Sequence, residues 1–235
     1  MLKLATKFRP HSAAFETARR AGFRFVEFWL DPHVLEQWPL VSALAQQYPF
    51  RYALHFPNRT DLSPASLRQT VQLYRELDCT ALVIHQPMYD KYAEFLLRLE
   101  PALELAVENH RLDESSLLRW AQESPGLTLD VEHLWKFTLE DCSLDDLVDA
   151  VDRLLVRHVE KLRHVHLPGY WAGSDEHRPM HHAQPMVVPV LSLLADYGFS
   201  KLIVSEANET YQNLDDLSRD VQLYESWLSQ RAVRN

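Results

Sequence analysis

Short β-branched or aromatic runs alternate along the whole chain with longer segments whose apolar residues recur every three or four positions. The runs read as strands near Leu2 to Thr6, Arg24 to Leu30, Arg51 to His55, Ala81 to His85, Leu103 to Glu108, Leu127 to Asp130, His164 to Leu167 and Lys201 to Glu206. The segments between them read as helices. Ser63 and Pro64 stand as N-cap and first helical residue ahead of an apolar face of Leu67, Val71, Tyr74 and Leu77. Leu144, Leu147, Val151 and Leu154 repeat the spacing, as do Val190, Leu191, Leu194 and Tyr197, while Gly22 and Gly198 stand where C-cap glycines belong. Eight strands alternating with helices, closed by a last helix from about Leu214 to Val233, predict an α/β chain folded as a (β/α)8 TIM barrel. The rival, an open doubly wound sheet, needs a glycine-rich phosphate turn after its first strand, which this chain of five glycines lacks. With no Gly/Ser linker or low-complexity tract, residues 1–235 read as a single domain.

Composition narrows the class. At 235 residues and 46% hydrophobic the chain can bury a substantial core, and no apolar run is long enough to span a bilayer. Cys79 and Cys142 make no metal or redox spacing, which excludes a disulfide framework. The N-terminus enters a strand-like stretch without a charged leader, so a cytoplasmic protein is expected. The balance of 24 Lys plus Arg against 33 Asp plus Glu, a net charge of −9, supplies no global field for a polyanion. More telling are the twelve histidines.

A barrel carries its active site at the C-terminal ends of its strands. Glu27, His55, His85, Glu108, Asp130, His166 and Glu206 stand at or near seven of the eight predicted ends, where the runs are otherwise Val, Ile, Leu and Ala. Carboxylates gathered on one rim repel unless a cation lies among them. Three His and several carboxylates without a thiolate suit Zn²⁺ or Mn²⁺, with Fe²⁺ or Co²⁺ as further candidates. Asp130 and His133 form an Asp-x-x-His step just past the sixth strand. The loop beyond His166 holds Tyr170, Trp171, Asp175, His177, Arg178, His181 and His182, of which Asp175 and His177 are the better candidates for further ligands. Cys79 reads as a small buried hydrophobe and His164 as a structural residue deeper in the barrel.

Seven motifs, VEFWL (Glu27), YALHFPN (His55), LVIHQP (His85), LAVENH (Glu108), LTLDVEH (Asp130 and His133), VHLP (His166) and LIVSEAN (Glu206), run through nearly the whole chain in an order that resembles the xylose isomerase-like TIM-barrel superfamily. That superfamily groups sugar isomerases and epimerases with AP endonucleases of the endonuclease IV type. The resemblance implies one divalent ion on Glu108, Asp130, His166 and Glu206. In its endonuclease branch it implies a second ion on His55, His85 and a bridging Glu108, and a third on His133, Asp175 and His177, for one to three ions in all. The Gly-Glu-Gly that usually follows the last pair is absent, His181, His182, Ala183, Gln184 and Pro185 standing there instead.

Two chemistries follow from the resemblance. The first is a divalent-metal-dependent isomerase or epimerase of a small sugar or other hydroxy-carbonyl compound, working by proton transfer through a metal-stabilised enediolate. Glu108 and Glu206 would be its acid and base. Glu27, Trp29, Trp171 and Arg178 are candidates for contact with a sugar-like substrate, the arginine usual about six residues past the seventh-strand histidine being Ala172 here. The second is zinc-dependent phosphodiester hydrolysis at abasic DNA. A rim offering chiefly Arg59, Lys91, Arg111, Lys136 and Arg178 for phosphates argues against nucleic acid. No membrane partner is expected, and barrels of this kind commonly form homo-oligomers.

Overall fold

The structure, a computed structural model, describes residues 2–234. Eight parallel strands close into a barrel in chain order: β1 (Lys3–Phe8), β2 (Phe25–Trp29), β3 (Arg51–His55), β4 (Leu82–His85), β5 (Leu105–Glu108), β6 (Leu127–Asp130), β7 (Leu162–His166) and β8 (Leu202–Ser205). The seam is β1 against β8, with Leu4 opposite Ile203 and Thr6 opposite Ser205. Around it run α1 (Ser12–Ala21), α2 (Pro32–Glu36), α3 (Trp38–Ala45), α4 (Pro64–Glu76), α5 (Gln86–Leu99), α6 (Glu114–Glu123), α7 (Val131–His133), α8 (Leu144–His158), α9 (Gln184–Asp196) and α10 (Leu214–Arg234). This is the (β/α)8 barrel that the alternation of runs predicts. Among the described residues no helix is long and apolar enough to cross a membrane.

Local chemistry sets the helix ends. Ser63 Oγ accepts the Ser66 N–H at 3.1 Å with Pro64 as the first helical residue, and Asp113 Oδ1 accepts the Ser116 N–H at 2.7 Å. Gly22 ends α1 at φ 100°, a conformation that strains any residue carrying a Cβ.

Strand side chains alternate between two cores. Outward-facing Val26, Phe28, Leu54, Ile84, Val107 and Leu129 join the large apolar core that includes buried residues of the helices. The inward set is small: Ala5, Ala53, Leu202 and Val204, with Phe25 packed against them. Two residues further along those inward rows come Lys7, Glu27, His55 and Glu206, and the other four strands end on His85, Glu108, Asp130 and His166. Every strand therefore delivers an ionisable side chain to one end of the barrel.

Several bounds differ from the sequence expectation. β1 continues past Thr6 to Phe8, because Lys7 is neutralised by carboxylates far away in the chain and so does not end the strand. β2 ends at Trp29, which sets Glu27 inside the barrel rather than at the rim. β7 starts at Leu162 and ends at His166, and Glu206 follows β8 directly. The long connection after β7 is cinched by Gly169 and Arg178, which exchange backbone hydrogen bonds of 2.7 and 3.1 Å. A Cβ on Gly169 would lie 2.0 Å from the Pro179 carbonyl oxygen, so only glycine fits that neck.

Candidate metal centre

Glu108 is the hub of the cluster. His55 Nε2 and His85 Nε2 lie 3.0 and 3.4 Å from its Oε2, and His133 Nδ1 lies 3.2 Å from its Oε1. His55 Nδ1 is 3.0 Å from the Phe56 carbonyl, an oxygen that only accepts, so the ring carries its proton there. Burial and the charge of Lys7 push the His55 pKa down, which favours the neutral ring. Its remaining lone pair, on Nε2, then faces a carboxylate oxygen at 3.0 Å, and two acceptors meet where a cation would satisfy both.

His166 is oriented from below. Its Nε2 is 3.2 Å from Glu27 Oε2, and Glu27 is wholly buried, with His164 Nε2 2.6 Å from the same oxygen. The other ring nitrogen, Nδ1, lies 2.7 Å from Glu206 Oε2, 3.5 Å from Glu108 Oε2 and 3.7 Å from Asp130 Oδ2. Burial pulls the His166 pKa down, but Glu206, Glu27 and Glu108 raise it well above the usual histidine range. Without an ion, a proton on this ring offsets the carboxylates. Burial likewise pushes Glu108 and Glu206 up. For Glu108 the charges on His85 and His166, and for Glu206 those on His166, Lys7 and His177, hold the carboxyl well below its ordinary value.

Asp130 caps the turn that follows its strand. Its Oδ1 accepts the His133 N–H at 2.8 Å, which brings His133 Nδ1 within 3.6 Å of Oδ2, so the Asp-x-x-His spacing is a capping turn aimed into the mouth. Beyond it, His177 stands at φ 57° with Nε2 3.9 Å from Glu206 Oε1 and its ring 5.8 Å from that of His133. Asp175 does not accompany it: the carboxylate turns outward, 87% exposed, and lies 3.3 Å from Arg178. Buried Glu132 takes that place, its Oε2 accepting the His177 N–H at 2.9 Å and lying 3.1 Å from Nδ1. Of the two candidate loop histidines, His177 faces the mouth, whereas His181 packs against α10.

Three contributors escaped sequence reasoning. Lys7 Nζ sits 2.5 Å from Glu206 Oε1 and 3.5 Å from Glu27 Oε1, beside the group formed by Glu108, Asp130 and His166, whose donor atoms lie within 4.8 Å of one another. His110 stacks on His85 with ring centres 4.4 Å apart, and burial beside His85 and His133 pushes its pKa down to about 4. Asn109 clamps Asp130, donating to its carbonyl at 2.9 Å and accepting its N–H at 2.6 Å. The signal for the last two was present in the Glu-Asn-His run closing β5.

The donor set fits a divalent cation. Asp130 Oδ2, Glu206 Oε2, His133 Nδ1 and His166 Nδ1 are all buried without a hydrogen-bond partner among the described residues. Ligand atoms on one ion, with bonds of about 2 Å, stand about 3–3.5 Å apart, close to the spacings around His166 and Glu108. Imidazole and carboxylate without thiolate suit zinc, manganese, iron or cobalt.

Above this floor lies a cavity of about 270 Å³ whose walls include Glu108, Glu206, Lys7, His110, His177 and Trp29. Trp29 is 45% exposed and forms part of the wall. Trp171 and Arg178 pack on each other instead, guanidinium carbon 4.7 Å from the ring centre, outside the cavity lining. Glu27, expected at the substrate, lies beneath His166 and positions it.

The sequence matches no family model and no curated protein. Solved structures resemble it along nearly its full length. A D-tagatose 3-epimerase-like protein superposes with a TM-score of 0.71 at 17% identity, over 99% of this chain and 99% of its own. Endonuclease IV from Thermus thermophilus gives 0.64 at 17% identity, over 97% and 99%. D-allulose 3-epimerase from Methylomonas sp., in complex with D-allulose, gives 0.60 at 16%, over 95% and 90%. This chain shares their eight-stranded (β/α)8 barrel fold.

Proposed function

We propose that this protein is a divalent-metal-dependent isomerase or epimerase of a small sugar or other hydroxy-carbonyl compound. The observation that carries the reading is the pairing of Glu108 and Glu206 on the floor of a cavity of about 270 Å³, a volume below that of typical drug-sized pockets and suited to one small polar molecule. Glu108, Asp130, His166 and Glu206 would hold the ion, with His55, His85, His133 and His177 around them. When bound, the ion supplies Lewis acidity to a substrate carbonyl and its neighbouring hydroxyl.

The chain's own residues do the rest. Glu108 and Glu206 take the carbon-bound proton and return it, as two carboxylates on opposite sides of a bound substrate can. Lys7 holds Glu206 Oε1, keeping that carboxylate ionised. Trp29 offers an apolar face to a sugar ring at the cavity wall.

The endonuclease reading draws support from the group formed by His55, His85 and Glu108, which suits a second ion. Its rim is poorly supplied for phosphates. Arg59 lies 2.8 Å from Asp61, Lys136 2.5 Å from Glu176 and Arg178 3.3 Å from Asp175, while Lys91 donates to the Thr60 carbonyl at 2.5 Å. A DNA backbone would have to displace these partners.

The test is solvent exchange. Protein loaded with Mn²⁺, Co²⁺ or Zn²⁺ is incubated in D₂O with a panel of aldoses and ketoses, and deuterium at the carbon beside the carbonyl is read by NMR. Incorporation by the wild type, abolished in Glu108→Gln and Glu206→Gln, is the expected result. Cleavage of an abasic oligonucleotide, with no exchange on any sugar, would replace this reading with the hydrolytic one.

A further inference from the structure

A second histidine cluster lies outside the barrel mouth, between the end of the β7–α9 connection and α10. His181, His182 and Asp216 each present a donor atom within 4.8 Å of one another. His181 Nδ1 is 2.8 Å from Asp220 Oδ1, and that same oxygen accepts the His181 backbone N–H at 2.9 Å. Asp220 is wholly buried and accepts the Ser205 hydroxyl on its other oxygen. An ionised carboxylate only accepts, so His181 carries its proton on Nδ1. The other ring nitrogen, Nε2, is shut off from solvent, makes no hydrogen bond and lies 3.6 Å from Asp216 Oδ1. The His182 ring packs edge-on to His181 with centres 4.4 Å apart.

A buried carboxylate behind one nitrogen and a free lone pair at the other is how metal-binding histidines are oriented. The mouth shows the same device in Glu27 and His166, though the two sites share no side chain. We infer that His181 Nε2, His182 and Asp216 form a separate divalent-metal site, with Asp220 as the residue that positions His181. Two imidazoles and one carboxylate select Zn²⁺, Cu²⁺, Ni²⁺ or Co²⁺ over Mg²⁺ and Ca²⁺, and three protein ligands leave a fourth position for water. An ion here ties the His177-bearing connection to α10. Through Ser205 and Asp220 it also rests on the end of β8, one residue before Glu206.

Untagged protein stripped with EDTA is titrated with Zn²⁺ against a chromophoric competitor, alongside His182→Ala and Asp216→Asn, with folding checked by circular dichroism. Neither substitution touches the barrel mouth. Each variant is expected to bind one Zn²⁺ fewer than the wild type, whatever the number bound at the mouth. Asp220→Asn should keep the site but weaken it by about 10–100-fold, as loss of an orienting carboxylate does. Equal stoichiometry in wild type and both ligand variants overturns the assignment, as does a wild type that binds Mg²⁺ there as tightly as Zn²⁺.

Discussion

Lys7 Nζ lies 2.5 Å from Glu206 Oε1, so a lysine of the first strand holds the carboxylate that follows the last one across the seam where the barrel closes. Both side chains are nearly buried, at 10% and 13% exposure, and Glu27 shares the ammonium from below at 3.5 Å. Removing one partner of a buried pair leaves the other charge without compensation. Lys7→Met should therefore lower stability by about 3 kcal/mol or more in urea unfolding. A loss under about 1 kcal/mol would show that Glu206 and Glu27 do not depend on it.

Glu27 should act on metal binding without touching the ion. Its Oε2 lies 3.2 Å from His166 Nε2 and directs Nδ1 toward Glu206, Glu108 and Asp130. Glu27→Gln is expected to weaken Zn²⁺ or Mn²⁺ affinity by about 10–100-fold, read by competition titration. Unchanged affinity would mean that His166 is oriented by its other neighbours.

Metal affinity should rise with pH. Burial pulls His133 and His177 down, but the nearby carboxylates, Asp130 and Glu108 for the first and Glu206 and Glu132 for the second, lift both to about 9 in the metal-free protein. Below that value an incoming ion must displace their protons, and above it the lone pairs are free. Calorimetry in buffers of different ionisation enthalpy should show protons released on binding at about pH 7 and fewer well above pH 9. Binding without proton release near neutral pH would show that neither histidine gives up its proton to an incoming ion.

Metal removal should be visible as lost thermal stability. An ion at about a hundredfold excess over its dissociation constant adds about 2.7 kcal/mol, which for a chain of this size is about 5–10 °C in Tm. Scanning calorimetry with and without EDTA checks this, and equal Tm values would contradict tight binding at the mouth.

Gly169 should prove irreplaceable. A Cβ there meets the Pro179 carbonyl oxygen at 2.0 Å, a backbone atom that cannot step aside, so Gly169→Ala should spring the neck of the connection that carries His177. Limited proteolysis is expected to cut the variant between residues 170 and 178 well before the wild type. Equal resistance would show that the neck absorbs the methyl.

The barrel was readable because its signal is periodic and local. Apolar runs between amphipathic helices, Ser63 and Pro64 at one helix start and Gly22 at a helix end all act within a few residues of themselves. The side chains at the strand ends were readable for a related reason: an inward row of small residues such as Ala5, Ala53 and Val204 ends in a polar one, and such a break in an apolar alternation stands out. His55, His85, Glu108, Asp130, His166 and Glu206 could thus be picked out before their neighbours were known, and His133 by its spacing from Asp130.

What those side chains do to each other was decided only by closure of the barrel. Lys7 falls past the expected end of the first strand, and its role appears only when Glu206, 199 residues away, is brought to its ammonium. Glu27 reads as a rim residue until the register of β2 sinks it beneath His166, 139 residues away. Asp175 leaves its expected place beside His177, and Glu132 stands there instead, because the turn of an irregular connection, which no short-range pattern specifies, aims the Asp175 carboxylate at solvent. The sequence by itself determined which residues face inward, since alternation along a strand is a property of the chain; which charges meet, and which donors lack a partner, depends on distances across the barrel that exist only once eight strands have closed.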